Sequence, residues 1–284
     1  MLRHSRLFIL MAATLVLGQT GCVLIGGSPR VWTAVVTETL SIDTENLRAL
    51  EVRTHNGTIV FDGQPAGTPD AYVTVSKKAG GRSREDAEEA LTALNVYTES
   101  AGDGKQRIGW KWNGIKRRGW IAAVSFDVHA PEDVRLDAQT HNGAIKVRGA
   151  SNDVSVQTHN GHIEVDVKAG KLYARTHNGG IIARYEGNDV TLVTHNGHVR
   201  ADLHRCAEIG GRIQTHDGGV EVVVGDRTSA RLNCRSHNGG IRCSVPLQDT
   251  LVTGRHLTGT IGAGERTLDV TTHNGRVRIK NNAG

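Results

Sequence analysis

The chain has 284 residues, with 34 Lys and Arg against 29 Asp and Glu and a formal net charge of +5, and its pI is near 9.2. So mild a basic balance does not make the dense cationic surface that nucleic acid needs, and nucleic acid is set aside as a partner. Glycine is frequent at 35 residues and aromatics are scarce, yet Val, Ile and Leu recur at regular spacing, which excludes a disordered chain and suits a β protein rich in tight turns.

Residues 1–21 read as an export signal. Arg3, His4 and Arg6 precede the apolar run Leu7–Leu17, which is too short to span a bilayer as a mature helix. "QTGC" follows, and small residues directly before Cys22 resemble a bacterial lipoprotein cleavage box, although Gln19 stands where that pattern prefers Leu. The reading favoured over ordinary secretion is a lipid-bearing Cys22 that anchors the protein to a membrane of the cell envelope, on its periplasmic or cell-surface face.

Residues 22–48 form a tether with the first strands, and 49–62 carry the first "THNG" corner, at 54–57. The next corner glycine lies 86 residues on, which is not a multiple of the later period, so 63–130 read as an α+β insertion that caps the solenoid. Within it "SREDAEEALTALNV" predicts a helix, with Ser83 as N-cap, acids in the first turn, and Ala87, Leu91 and Leu94 on one face. The strand-like runs "AYVTVSK", "NVYTES", "QRIGWKW" and "WIAAVSFDVHAP" surround it. Trp110, Trp112 and Trp120 interleave with Lys116, Arg117 and Arg118. That cluster reads as a hairpin with packed Trp and a solvated basic loop, and otherwise as a surface for envelope glycan, phosphate or lipid headgroups.

From 131 to 284 the corner glycines fall at 143, 161, 179, 197, 218, 239 and 275, in steps of 18, 18, 18, 21, 21 and 36. A degenerate copy around Gly259 would divide the last step. In "VSVQTHNGHIEVDV" apolar residues alternate on both sides of the corner, so each unit of about 18 residues holds two half-buried strands. An antiparallel meander and a parallel solenoid both fit this pattern. Outward columns of alternating sign favour the solenoid: Arg148, Asp166, Arg184, Asp202 in one, and Lys146, Glu164, Arg200, Glu221, Arg242 in the other. Opposite charges help when stacked about 4.8 Å apart. The expected fold is therefore all-β, a parallel β-solenoid or β-helix of two-strand coils. In it Asn142, Gly143, Asn160, Gly161, Asn178, Gly179, Asn196 and Gly197 form a corner ladder: Gly allows the positive φ of a sharp corner, Asn tolerates it, and stacked Asn side chains can hydrogen-bond up and down the column. Cys234 and Cys243 align with core positions and read as buried thiols, a cross-core disulfide being the alternative.

The chain resembles the bacterial putative-adhesin family of β-strand-repeat domains of unknown function. The stretches that carry the likeness are "VSFDVHAPEDVRLDAQTHNGAIKVRG" at 124–149, the V-x-T-x-N-G-x-I-x-V units, and "LEVRTHNGTIVFDG" followed by a helix-bearing insertion. It covers residues from about 40 to the C-terminus. The resemblance implies a β-helix-like fold, an envelope location and no established enzymatic activity. That family often has Ser, Asp or Glu near the corner, and the repeated His is a departure from it.

The function expected is that of a non-enzymatic, membrane-anchored envelope lipoprotein, adhesin-like or scaffolding, without a cofactor, meeting envelope glycan or protein. One alternative is a His ladder that responds to pH or binds a transition metal such as zinc, with His159, His177, His195, His162 and His198 as ligands. A second alternative, a polysaccharide-acting β-helix enzyme, would need a unique cluster of carboxylates and bases that breaks the repeat; no G-x-S-x-G, H-E-x-x-H or P-loop pattern is present.

Overall fold

Apolar alternation on both sides of each Asn-Gly corner becomes two facing twelve-stranded sheets, every regular coil giving one strand to each. The computed structural model describes residues 23–25, 31–65, 67, 68 and 70–282; the leader and Cys22 lie outside them. The N-terminal strands are β1 (Val23–Ile25), β2 (Trp32–Ile42), β3 (Ala49–Arg53), β4 (Ile59–Gln64) and β5 (Ala71–Gly81). Helix α1 (Arg84–Thr92) precedes β6 (Leu94–Ser100), β7 (Lys105–Trp112) and β8 (Ile121–Pro131). Regular coils follow: β9 (Arg135–Asn142) with β10 (Ile145–Ala150), β11 (Val154–Asn160) with β12 (Ile163–Val167), β13 (Lys171–Arg175) with β14 (Ile181–Tyr185), and β15 (Asp189–Asn196) with β16 (Val199–Asp202). The C-terminal strands are β17 (Gly210–Asp217), β18 (Val220–Val224), β19 (Ala230–Ser236), β20 (Ile241–Cys243), β21 (Gln248–Thr253), β22 (His256–Ile261), β23 (Thr267–Asn274) and β24 (Val277–Asn281).

Pairing between coils is parallel and in register. Val154 faces Leu136 on one side and Leu172 on the other, and Ile163 faces Ile145 and Ile181. This is the solenoid and not the meander. Inward columns such as Ala138, Val156, Ala174 and Leu192 lie opposite Val147, Val165, Ala183 and Ala201, all buried. Each coil buries its apolar face only against its neighbours, so stability is shared along the stack.

Both ends depart from chain order. β7 and β8 form a further coil that stacks beneath β3 and β4, so the first coil in sequence is the second in space. The insertion is thus more than a cap: it holds a coil, flanked by antiparallel strands β6, β5 and β2, with α1 over them. Ser83 caps α1 as its sequence predicts, accepting from the Asp86 N–H at 3.1 Å. At the other end β23 and β24 insert between the β17–β18 coil and the β19–β20 coil. The stretch around Gly259 is not a degenerate coil: β22 runs antiparallel to both β19 and β21, because the chain reverses at Gly254 and Arg255.

These permutations change the charge columns. Arg200 reaches Glu221 at 3.1 Å and Lys146 reaches Glu164 at 3.8 Å, as the alternation predicts. Arg242, however, faces Arg278, since the last coil intervenes. Arg148 pairs with Asp62 at 3.2 Å and not with Asp166, because the register slips after Val147. Cys206, Cys234 and Cys243 are free thiols. Cys206 and Cys234 are buried, and burial pushes both up to about 12; Cys243 is only half-buried because β20 is an edge strand.

Tyr185 closes the regular part of the core. Its ring is buried, and its hydroxyl lies 2.6 Å from the Gly170 carbonyl and 2.8 Å from the Asp189 carbonyl while accepting from the Asp189 N–H at 2.9 Å. Burial raises the phenol to about 12. Tyr185→Phe is expected to lower the urea midpoint by an amount equivalent to about 1–3 kcal/mol, because buried backbone groups lose their partner. An unchanged midpoint would show that they find another.

Candidate functional site

The T-H-N-G corner assigns one physical task to each residue. The glycine is needed for close approach: a Cβ on Gly161 would lie 1.9 Å from the Gly143 carbonyl oxygen, and one on Gly143 2.0 Å from that of Gly57. Gly143 and Gly179 also carry positive φ, at 158° and 150°. The ladder asparagines do not use the positive φ they tolerate. Their task is hydrogen bonding, each Nδ2 donating to the Oδ1 one coil below: Asn142 to Asn56, Asn160 to Asn142, Asn178 to Asn160 and Asn196 to Asn178, at 2.7–2.8 Å. The threonine points inward and donates to the corner glycine carbonyl of the preceding coil, as Thr158 does to Gly143 at 2.9 Å and Thr176 to Gly161 at 2.9 Å.

The histidine is left to face outward, and parallel stacking aligns the rings. One column runs His55, His141, His159, His177, His195, His216, His273, His237, with neighbouring centroids 4.5–4.9 Å apart. From His55 to His195 the rings are within 4° of parallel. Partial desolvation, then the charges of His159, His195 and Arg175, hold the His177 imidazole below its ordinary value.

Beside this column runs a groove. One cavity of about 670 Å³ is lined by His159, His177 and His195 with Gln157, Arg175 and Gln214; a second of about 600 Å³ continues it past His216 and His273 to Arg235 and Arg255. The far wall is the outward position two residues before each His, a column visible in the sequence but not singled out there. Of the five His predicted as ligands, His159, His177 and His195 are consecutive rungs. His162 and His198 lie in a different column, two rungs apart with Gly180 between them. Parallel rungs hold equivalent nitrogens about one strand spacing apart, while two donors on one zinc ion can be at most about 4.4 Å apart.

The aromatic and basic cluster divides. Trp120 is buried and donates to Asp86 at 2.7 Å, and Trp110 donates to Thr54 at 3.0 Å, beside the end of the His column. Trp112 packs between them. Arg117 pairs with Glu89. Lys116 and Arg118 stay exposed around Ile115, which is 94% exposed.

The sequence model of one protein family, described as Toastrack DUF4097, matches residues 39–280. No curated protein matches the chain. Among solved structures it is similar to a putative adhesin from Bacteroides fragilis, at 9% identity and a TM-score of 0.41, covering 86% of this chain and 96% of that one. It is similar to a putative cell adhesion protein from Clostridium sporogenes, at 13% identity and a TM-score of 0.35, covering 86% and 98%. It is also similar to a putative lipid binding protein from Parabacteroides distasonis, at 12% identity and a TM-score of 0.35, covering 85% and 96%.

Proposed function

We propose, from the premise that the chain belongs to the Toastrack DUF4097 family, that it is a non-enzymatic lipoprotein of the cell envelope whose solenoid displays the His-walled groove as an adhesin-like binding surface. The observation that supports this reading is repetition. The groove presents one His per coil, in register along a rigid stack, against a far wall that varies through Gln157, Arg175, Val193 and Gln214. An extended ligand, such as an envelope polysaccharide, meets such a surface at many equivalent points, whereas catalysis needs unlike groups converging on one atom. No helix among the described residues is long and apolar enough to cross a membrane; in this reading the anchor is a lipid on Cys22.

Two measurements test the two halves of the proposal. The full chain, expressed in a bacterium that processes lipoproteins, should partition with membranes and move to the soluble fraction as Cys22→Ala. Wild type found in the soluble fraction would overturn the anchor. Purified in detergent and assayed in EDTA, the full chain should co-sediment with bacterial envelope fragments. The double variant Arg175→Glu, Gln157→Glu should weaken that retention by about tenfold or more, through lost contacts and introduced charge. Unchanged retention would move the binding surface away from the groove.

A further inference from the structure

The ladder changes character at one rung. We propose that His195, His216 and Asp217 form a discrete site for one transition-metal dication of the zinc class. From His55 to His195 the rings are parallel within 4°, but His195 and His216 are tilted by 21° and His216 and His273 by 15°. The tilt coincides with the corner that reads "THDG". The Asp217 carboxylate draws on His216: Oδ2 lies 3.1 Å from Nδ1. One donor atom from each of His195, His216 and Asp217 lies within 4.8 Å of the other two. The His216–Asp217 separation already suits two ligands on a shared zinc or copper ion. All three side chains are exposed, and binding requires the His195 ring to rotate out of its stack to bring the third donor into range. Two imidazoles and one carboxylate make a donor set that takes zinc and leaves a coordination position for water or a ligand atom. His195 and His216 both line the groove, so that position belongs to its wall.

Asp217 is costly as a structural choice. It occupies the asparagine column, facing Asn196 below and Asn274 above. It accepts from Asn274 at 2.6 Å. A carboxylate has no N–H to pass down to Asn196 Oδ1, so the asparagine ladder is interrupted at this rung. A rung where the ladder's local rule is broken is where a functional role is expected. The other convergence of donors among the described residues, Asp62 with Asp127 and His129, is weaker as a cation site because Arg148 already sits 3.2 Å from Asp62.

The test uses the untagged full chain in detergent, stripped with EDTA, dialysed and titrated calorimetrically with zinc sulfate at pH 7.5. The expected result is one ion per chain with micromolar or tighter affinity. His216→Gln and Asp217→Asn should each weaken it by at least about tenfold, and His159→Gln should leave it unchanged. Asp217→Asn supplies the missing N–H, so its melting temperature in EDTA should equal or exceed that of wild type, which separates lost ligation from lost folding. Cobalt substitution should show no thiolate charge-transfer band, which separates the site from the half-buried Cys243. No binding, several ions per chain lost together in His159→Gln, or full affinity in Asp217→Asn would each overturn the site. Because the envelope-binding assay is run in EDTA, these outcomes are independent of the groove proposal.

Discussion

Gly161→Ala is expected to destabilise the protein severely, by at least about 3 kcal/mol, because the new methyl group has nowhere to go. Its Cβ would lie 1.9 Å from the Gly143 oxygen, 2.6 Å from the Gly143 carbon and 3.2 Å from the Ala144 nitrogen. All three are backbone atoms of the coil below, so no side-chain rotation relieves the overlap. That oxygen also accepts from Thr158 at 2.9 Å, so separating the coils breaks the threonine bond as well as the asparagine bond between Asn160 and Asn142. The damage should spread to both neighbours, since each coil is stable only through them. Gly240→Ala is the control: a Cβ there meets nothing within 4 Å, and the change should stay within about 0.5 kcal/mol. Urea midpoints followed by circular dichroism check the pair. Equal midpoints would show that the corner tolerates a side chain and that glycine was selected for some other reason.

The second large effect is on pH. In the folded chain His177 sits between His159 and His195, with Arg175 two residues before it, and its proton affinity is lowered by partial desolvation and by those charges. The unfolded chain therefore binds a proton more readily than the folded one. The His177 contribution is intact above the unfolded value of about 6.5 and is lost as pH falls from there towards the depressed folded value. The carboxylates respond lower down. Glu51, held at about 2 chiefly by Lys105 and then by Arg53 and Arg107, contributes stability that is lost only as pH falls below 4.5. The melting temperature, measured in EDTA, should therefore fall between pH 7.5 and 5 through His177, and fall further in a separate acid step. Ring spacings of 4.8 Å are shorter than the Debye length of about 10 Å at 0.1 M salt, so the first step should persist, weakened, at moderate ionic strength. His177→Gln should reduce it. A melting temperature flat from pH 7.5 to 5 would mean that His177 accepts its proton without penalty.

Much of this was legible before any coordinates. Periods of 18 and 21, with alternation on both sides of the corner, give a solenoid of two-strand coils, and the sign alternation at Lys146 and Glu164 decides against a meander. Ser83 and the acids after it mark α1. The candidate site was legible in part. A His at each corner implies a column, but five ligands read from spacing alone included His162 and His198, which lie in a different column from the others. Asp217 is one changed letter in a repeated motif, and nothing in the letter says that it interrupts a chain of donors.

What the sequence determined by itself is the coil: its length, its inward and outward faces, and a corner that admits only glycine. Those are local consequences of backbone sterics and of a two-residue side-chain period, and they hold wherever the coil sits. What only the tertiary structure decided is the order of the coils. Nearly identical coils offer nearly identical stacking faces, so the repeat does not say which one lies on which. The connections settle it: the insertion folds back to place β7 and β8 beneath β3 and β4, and the β21–β22 hairpin carries the chain back so that β23 and β24 enter between older coils. The continuous run of eight imidazoles, with His273 ahead of His237, exists only because of that order.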